Sequence, residues 1–363
     1  MSTQDTVILH ACPASGAGPG RSRSPKRMRG GKTLTVDIHC HISTPECMPL
    51  VRDLFSPEKE PFTFFANPET REINQRLFAT LAPKLTSPEE RLKDMDSMGI
   101  DIQVISPSPA QYYYWTDGEL GLRLARMQNE RVAELVRAHP ARFVGMGTVP
   151  LQDVDRAVQE LERTVKELGL RAVEISSNVN GMDFDDPRFR PFFAKAEELE
   201  ALIFIHPIGF TDGGRLRDYY LMNVIGQPLE STVAVSRLIY SGVLESHPSL
   251  RICVAHGGGY LPYYAGRMDH AYKVRPECQR SISRPPSTYL HQLYYDTVVY
   301  TGETLASLVK QVGSEHVLLG TDYPFDMGET DPVGHIGGVR SLSRADKEKL
   351  WGGNAARLLR IHQ

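Results

Sequence analysis

Two histidines one residue apart, His39 and His41, are the first residues whose spacing could support chemistry. They close the short apolar run Val36-Asp37-Ile38-His39-Cys40-His41, which is typical of the end of a β-strand. Side chains at positions i and i+2 of a strand point to the same face, so both imidazoles can reach one ion. The pattern therefore predicts a metal site that begins on the first strand of the fold.

Histidine or aspartate also follows three later apolar runs: Phe204-Ile205-His206-Pro207, Val254-Ala255-His256-Gly257 and Leu319-Gly320-Thr321-Asp322. Together, His39, His41, His206 and Asp322 would give three imidazoles and one carboxylate. That donor set suits Zn²⁺, with Fe²⁺, Co²⁺ and Mn²⁺ as substitutes. Zinc in such a site lowers the pKa of a bound water towards about 7, which predicts hydroxide chemistry at neutral pH.

His256 has a different setting, because Gly257-Gly258-Gly259 follows it. We expect these glycines to clear side chains from around the imidazole and to let a substrate approach the backbone closely. A neutral imidazole at a strand end beside a metal is suited to general acid and base catalysis. Two alternatives stay open: His256 could be a further ligand, and Asp322 could serve as ligand, as proton acceptor or as both.

The elements that must position these residues alternate between short β-branched or aliphatic runs and longer stretches of helical period. Strands are predicted at Leu34–Ile38, Ile102–Ser106, Phe143–Thr148, Arg171–Ile175, Leu202–His206, Arg251–Ala255, Gln292–Asp296 and His316–Gly320. Helices are predicted near 87–99, 118–138, 152–168, 187–200, 228–245, 261–273, 302–313 and 343–359. Eight βα units favour an α/β fold, a (β/α)₈ TIM barrel, in which the last strand closes on the first. An open doubly wound sheet is the alternative, and it would keep His39 away from Asp322.

Two segments are longer than an ordinary βα connection: residues 42–86 after strand 1 and residues 207–227 after strand 5. We expect both on the C-terminal face of the barrel, as lids or substrate walls or as simple capping structure. The stretch Gln111–Trp115 contains four consecutive aromatic residues, which cannot share one face of a strand. We therefore expect part of it, with Trp115 as a candidate, to line a pocket for a planar substrate.

Composition limits the other classes of function. The chain has 363 residues, 41% hydrophobic and 23% charged, and a formal net charge of −3, which favours neither nucleic acid nor a membrane as a partner. Five cysteines without a CxxC motif argue against a disulfide framework, and we expect a cytoplasmic location. Residues 1–32 are predicted to be a flexible Gly/Ser/Arg-rich extension, and residues 33–363 a single barrel domain.

Several motifs resemble the amidohydrolase superfamily, and within it the branch of α-amino-β-carboxymuconate-ε-semialdehyde decarboxylase. The matching stretches run from about residue 34 to 360 and include Asp37-Ile38-His39-Cys40-His41, Val149-Pro150-Leu151-Gln152-Asp153, His206-Pro207, His256-Gly257-Gly258-Gly259, Gly266-Arg267 and Thr321-Asp322-Tyr323-Pro324-Phe325. The resemblance implies non-oxidative decarboxylation of an unsaturated or aromatic carboxylic acid, either like an aminocarboxymuconate semialdehyde or like a hydroxybenzoate. A metal-dependent hydrolase or hydratase is the alternative, and a non-catalytic barrel would bind no metal.

The resemblance also implies roles for particular residues. The zinc ligands would be His39, His41, His206 and Asp322, and the acid/base residue would be His256. In that family, the arginine matching Arg267 crosses a homodimer interface to the carboxylate of the neighbouring subunit's substrate. A second substrate arginine would be Arg76, or else Arg71, and Phe325 would pack against the substrate. The family's His-Pro is followed by tryptophan, whereas this sequence has Ile208, which leaves the exact substrate open.

Overall fold

The computed structural model describes residues 33–361, so the predicted extension at residues 1–32 lies outside the described residues. Eight parallel strands form one sheet in the order β1 to β8. Their bounds are β1 Val36–Ile42, β2 Ile102–Pro107, β3 Phe143–Gly147, β4 Ala172–Ile175, β5 Leu202–Ile205, β6 Arg251–Val254, β7 Leu293–Asp296 and β8 Val317–Leu318.

The residues after β8 close the sheet against β1. The Ile38 N–H donates to the Leu319 carbonyl at 2.9 Å, the Asp322 N–H to the His39 carbonyl at 2.8 Å, and the His41 N–H to the Tyr323 carbonyl at 2.8 Å. The predicted (β/α)₈ barrel is therefore confirmed, and the open sheet is wrong. Closure makes the first and last strands neighbours, which places His39 beside Asp322.

Fourteen α-helices surround the barrel or cover its ends within the described residues. Their starts follow local capping rules: the Asp117 side chain accepts from the Leu120 N–H, and Ser87 accepts from the Glu90 N–H ahead of Pro88. The helices are α1 Met48–Val51, α2 Pro61–Phe64, α3 Pro68–Thr86, α4 Pro88–Met98, α5 Gly118–Ala138, α6 Val154–Lys166, α7 Arg190–Glu198, α8 Gln227–Tyr240, α9 Val243–Ser246, α10 Leu261–Val274, α11 Gly302–Val312, α12 Pro332–Gly338, α13 Arg344–Glu348 and α14 Asn354–Leu359.

Sequence reasoning missed helix α3, which spans 19 residues of the strand 1 insertion. Only Leu81 and Leu85 of this helix are buried, so it has no continuous apolar stripe that periodicity could reveal. A capping signal was present, because Asn67 accepts from the Thr70 N–H at 2.8 Å and Pro68 occupies the first helical position. Across residues 33–361, no helix has both the length and the apolar character needed to cross a membrane.

A bulge in β1 decides which side chains enter the barrel. One buried cluster takes members from seven different strands and must lie inside the barrel: Val36, Ile38, Val104, Met146, Ala172, Leu202, Phe204, Cys253 and Leu318. Cys40 and Ile42, later in β1, belong instead to the cluster between strands and helices. The register shifts between Asp37 and Cys40, and this bulge reverses the alternation so that His39 and His41 face inward above Ile38.

Candidate metal centre and active site

The two histidines of β1 meet at one point. Their Nε2 atoms lie 3.1 Å apart, and both rings are fully buried. We had expected the strand to end before them, but β1 continues to Ile42, because the backbone of His39 and His41 still pairs with the segment after β8. Their location inside the strand holds both rings more firmly than a loop would.

Asp322 and His206 complete the cluster predicted from the sequence. Oδ1 of Asp322 lies 3.2 Å from Nε2 of His39, 3.2 Å from Nε2 of His41 and 3.9 Å from Nε2 of His206. His206 follows β5 directly and is 4% exposed. Both ring nitrogens of His206 and Oδ1 of Asp322 are buried without a hydrogen-bond partner within residues 33–361. Buried polar atoms of this kind need a partner.

These groups fit a divalent metal ion. Ligands about 2.0–2.1 Å from a tetrahedral metal are separated from one another by roughly 3.3 Å, close to the distances between His39, His41 and Asp322. His39, His206, His256 and Asp322 also offer ligand atoms within 4.8 Å of one another. The structure therefore contains a metal-binding site, built from imidazoles and one carboxylate at the C-terminal end of the barrel.

Asp322 presents its two oxygens to different partners. Oδ1 faces His39, His41 and His206, whereas Oδ2 lies 3.5 Å from Nε2 of His256. His256 and Asp322 both have left-handed backbones, with φ of 55° and 59°, which is uncommon for residues other than glycine. Strained residues of this kind collect at functional sites, where the surrounding fold holds them in place.

The electrostatics of the cluster favour a cation. Burial alone would raise the pKa of Asp322, but His39, His256 and His41 hold it well below its usual value. Burial and the neighbouring histidines lower the pKa of His206, so its imidazole is neutral, the form that binds a metal. Burial opposes protonation of His39, but the carboxylates of Asp322 and Asp296 raise its pKa above the usual value.

Two buried carboxylates behind the histidines were not identified from the sequence. Asp296 is the last residue of β7, and its Oδ2 lies within hydrogen-bonding distance of Nδ1 of His39, at 2.6 Å. Glu174 in β4 lies 3.5 Å from Nδ1 of His41. Carboxylates at this position orient ligand histidines and fix which nitrogen faces the metal. Asp296 ends a predicted strand as a polar residue, so the same strand-end rule that identified Asp322 could have found it.

The glycines after His256 are required by packing, and Gly259 also lines a cavity together with His256. A Cβ on Gly257 would lie 2.4 Å from Val299, one on Gly258 2.6 Å from the Tyr295 ring, and one on Gly259 2.2 Å from the Pro228 carbonyl. All three have positive φ. Only glycine allows the chain after β6 to turn this tightly against its neighbours.

A cavity of about 120 Å³ lies beside His206, His256 and Asp322. Both long insertions form its walls, as expected of substrate walls: Phe62, Asn74 and Phe78 come from the first, and Pro207, Ile208, Tyr220 and Asn223 from the second. The two insertions contact each other, since Asn67 donates to Asp218 at 2.9 Å and the Phe62 and Tyr220 rings meet at 6.2 Å.

The aromatic stretch after β2 is mostly buried, and its four aromatic residues line a pocket, as we expected of part of the stretch. Tyr112, Tyr113 and Tyr114 are 7%, 4% and 5% exposed, because the stretch is not a strand and Tyr113 turns through a left-handed conformation. Trp115 lines a second cavity of about 240 Å³, and its Nε1 donates to Glu60 at 3.3 Å. That cavity shares Glu60, Pro109 and Ile208 with the one beside the metal site.

The predicted substrate residues occupy different places. Phe325 lies at the metal site, with its ring 5.4 Å from that of His41. Arg267 is exposed on α10, and Arg76 is exposed on α3 and paired with Glu72 at 3.5 Å. Arg71 donates to the Phe64 carbonyl at 3.0 Å. Neither Arg76 nor Arg267 lines the cavity beside the metal site, so their roles stay predictions.

Comparison with known proteins agrees with this geometry. The profile of a family described as amidohydrolase matches residues 36–361. The 2-amino-3-carboxymuconate-6-semialdehyde decarboxylase of Dictyostelium discoideum is 34% identical over 336 residues, covering 90% of this chain and 92% of its own. The gamma-resorcylate decarboxylase of Rhizobium radiobacter is 29% identical and covers 75% of this chain and 87% of its own.

Among solved structures, 5-carboxyvanillate decarboxylase from Sphingomonas paucimobilis superposes with a TM-score of 0.80 at 26% identity, covering 91% of this chain and all of that one. The prediction of a metal-dependent carboxy-lyase is confirmed by this set of relatives. The chain belongs to the amidohydrolase family, in the branch that contains 2-amino-3-carboxymuconate-6-semialdehyde decarboxylase.

Proposed function

We propose that this protein is a zinc-dependent, non-oxidative decarboxylase of an unsaturated or aromatic carboxylic acid. The observation that carries the proposal is the convergence of His39, His41 and His206 on one oxygen of Asp322, beside a cavity with aromatic walls. We favour zinc because three of the four proposed ligands are imidazoles. A bound zinc ion would supply Lewis acidity and an acidified water to the site.

His256 is the proposed proton donor. Decarboxylation replaces a bond from carbon to carboxylate by a C–H bond, so one proton must reach that carbon for each CO₂ released. His256 borders the cavity and faces Oδ2 of Asp322, the oxygen turned away from the other three histidines. Asp322 can therefore hold the imidazole towards the substrate while its Oδ1 serves as a ligand. Flat walls such as Phe325 keep the substrate ring in place during protonation.

A homodimer completes the site in this proposal. The substrate carboxylate needs a cation, and a guanidinium binds carboxylates in bidentate fashion. Arg267 is exposed on α10, and the same helix exposes 66% of Tyr264 and 57% of Val274. An exposed apolar surface of this kind is suited to an interface with a second copy. We propose that Arg267 enters the partner's site, and that Arg76 and Trp115 contact substrate only after local rearrangement.

Mixing two inactive variants tests the shared site. Arg267→Ala and His256→Ala subunits would each lack activity alone. Hybrid dimers would contain one intact site, so an equal mixture after subunit exchange should regain about a quarter of the wild-type activity. A mixture that regains nothing, with hybrid dimers shown to be present, would place Arg267 outside the neighbouring site.

Release of CO₂ from a carboxylated substrate tests the function itself. Zinc-loaded protein should release CO₂ from ring-cleavage dicarboxylates or from hydroxybenzoates, and the product should gain one solvent hydrogen at carbon. Incorporation of oxygen from ¹⁸O-labelled water without CO₂ would support the hydrolase or hydratase alternative instead. A cytoplasmic location remains our proposal, and the free thiols of Cys40, Cys47 and Cys253 suit a reducing compartment.

A further inference from the structure

Glu174 is a buried carboxylate behind the metal site, and its two oxygens have different surroundings. Its side chain lies in β4 and is fully buried. Oε1 accepts a hydrogen bond from the Tyr112 hydroxyl at 2.7 Å, whereas Oε2 lies 3.5 Å from Nδ1 of His41 and has no hydrogen-bond partner within residues 33–361. His41 is the only basic side chain of the described chain within 4.0 Å of this carboxylate. In that part of the chain, Tyr112 therefore makes the one side-chain hydrogen bond that holds Glu174 in place.

The contact between Glu174 and His41 is slightly longer than an ordinary hydrogen bond. Nε2 of His41 faces the cluster, 3.1 Å from Nε2 of His39 and 3.2 Å from Oδ1 of Asp322. When Nε2 binds a metal, Nδ1 carries the hydrogen of the ring and needs an acceptor. A carboxylate is a stronger acceptor than the hydroxyl of Ser106, which lies 3.3 Å from Nδ1. Because the distance to Glu174 is 3.5 Å, a small displacement of the carboxylate decides whether this bond forms.

Tyr112 is itself held in place on two sides. Its hydroxyl also lies 3.3 Å from the His206 carbonyl, and its ring stacks on that of Tyr114 with centroids 5.5 Å apart. Burial and the neighbouring Glu174 carboxylate raise the pKa of Tyr112 well above its usual value, so the hydroxyl keeps its proton. A phenol has one hydrogen to donate, and the shorter distance assigns that hydrogen to Glu174. Tyr112 is therefore a rigid donor to the carboxylate behind His41.

Tyr114 provides a comparison within the same segment. Tyr112 and Tyr114 are 7% and 5% exposed, and both line the cavity of about 240 Å³. The Tyr114 hydroxyl makes no hydrogen bond to Glu174 or to the histidine cluster within residues 33–361. Phenylalanine at either position would keep an aromatic ring in the stack, but only Tyr112→Phe would release Glu174.

We propose that Tyr112 is a positioning residue for the metal centre: its hydroxyl holds Glu174 against Nδ1 of His41 and so keeps Nε2 of His41 turned towards the ion. This inference rests on the proposed ligand set of the proposed function. It goes beyond that function because it assigns a role to a residue that contacts neither the ion nor the substrate, and because it holds for any acid that the enzyme decarboxylates.

Tyr112→Phe and Tyr114→Phe form a matched pair, since each removes one hydroxyl from one of two stacked rings. Zinc affinity is measured on the full chain by competition with a chromogenic chelator, after circular dichroism shows that both variants are folded. We expect Tyr112→Phe to lower the affinity by about three- to tenfold, less than the roughly 10- to 100-fold loss typical of a direct partner of a ligand. Tyr114→Phe should bind zinc as the wild type does.

A double-mutant cycle separates positioning from a general effect on packing. Glu174→Gln removes the carboxylate, so it should weaken zinc binding more than Tyr112→Phe does. Adding Tyr112→Phe to Glu174→Gln should cause little further loss, because the hydroxyl acts through the carboxylate. The visible absorption of the Co²⁺-substituted protein reports the geometry of the ligands, and we expect Tyr112→Phe, but not Tyr114→Phe, to change it.

Three results would overturn the proposal. Wild-type affinity in Tyr112→Phe would show that the hydroxyl does not position His41. Equal losses in Tyr112→Phe and Tyr114→Phe would assign the effect to packing of the aromatic stretch. Fully additive losses in the double variant would show that Tyr112 acts independently of Glu174. These results concern metal binding alone, so a zinc-loaded protein that behaves as expected but releases no CO₂ would contradict the proposed function and leave the positioning role supported.

Discussion

Nδ1 of His39 lies 2.6 Å from Oδ2 of Asp296, and both side chains are fully buried. The same carboxylate accepts the His256 N–H at 2.9 Å, the Gly257 N–H at 2.8 Å and the Val298 N–H at 3.1 Å. One side chain at the end of β7 therefore holds a proposed ligand and also the strained backbone of the proposed proton donor. The two functions of the site are linked through Asp296.

Replacing Asp296 by asparagine should weaken metal binding. The amide nitrogen cannot accept a hydrogen bond, so at least one of these contacts is lost and the His39 ring is no longer fixed. Loss of such a partner lowers metal affinity by about 10- to 100-fold. Competition with a chromogenic chelator measures this directly. Asp155→Asn, at an exposed position in the first turn of α6, is the control; equal affinity in both variants would contradict this role of Asp296.

His256→Ala should separate metal binding from catalysis. The variant is expected to keep its metal content, because Oδ1 of Asp322 and the other three histidines remain, but to lose CO₂ release. Elemental analysis of the purified variant and a CO₂ assay check the two parts. Wild-type turnover would rule out His256 as the proton donor. A loss of metal instead would make His256 a ligand, the alternative left open by the sequence.

Gly209 should be intolerant of a side chain, because it joins the two insertions. Its φ is +82°, and a Cβ there would lie 2.7 Å from the Phe62 backbone nitrogen. We expect Gly209→Ala to cost about 1–3 kcal/mol and to displace the wall formed by α2. Hydrogen exchange in Pro61–Phe64 should accelerate, and CO₂ release should fall. Gly214→Ala is the control, since nothing lies within 4 Å of its Cβ position; similar behaviour of both variants would contradict the coupling.

Glu230 should make the protein less stable as the pH rises. Burial raises its pKa to about 7, from 4.5. Between these values the folded protein binds a proton that the unfolded chain has released, so the free energy of unfolding falls as the pH increases through this window. Glu230 contributes on the order of 3 kcal/mol to this decrease in the free energy of unfolding. Glu230→Gln should remove that part of the pH dependence in urea unfolding between pH 5 and 8, and parallel curves for variant and wild type would show the assignment to be wrong.

The strands were predictable because each is a short apolar run that ends in loop residues. β5 and β6 match the predicted positions to within one residue, and the polar residues after β5, β6 and β8 follow the general rule for parallel barrels. The spacing of apolar residues could not reveal α3, because a helix that is exposed along most of its length carries no apolar stripe. Only its N-terminal capping residues indicated it.

Within the site, the candidate metal ligands could be predicted from the sequence. The features that orient them, namely the bulge in β1 and the carboxylate of Asp296, could not. The inward orientation of His39 and His41 depends on the bulge in β1, which leaves no sign in the sequence. Pairing of Asp296 with His39 joins residues 257 positions apart, and only the closed barrel brings them together. The close packing of the glycines after His256 could not be predicted, because the residues they pack against lie in β7, in the segment after β7 and in α8, far away in the sequence.

The central claim is that one divalent metal ion is held by His39, His41, His206 and Asp322. The most direct measurement is anomalous diffraction from crystals of the purified protein, with data collected on both sides of the zinc absorption edge. We predict a single zinc peak at the C-terminal end of the barrel, about 2.0–2.2 Å from one atom of each of these four side chains. A well-ordered structure in which these side chains surround no metal, or in which the peak lies elsewhere, would contradict the account.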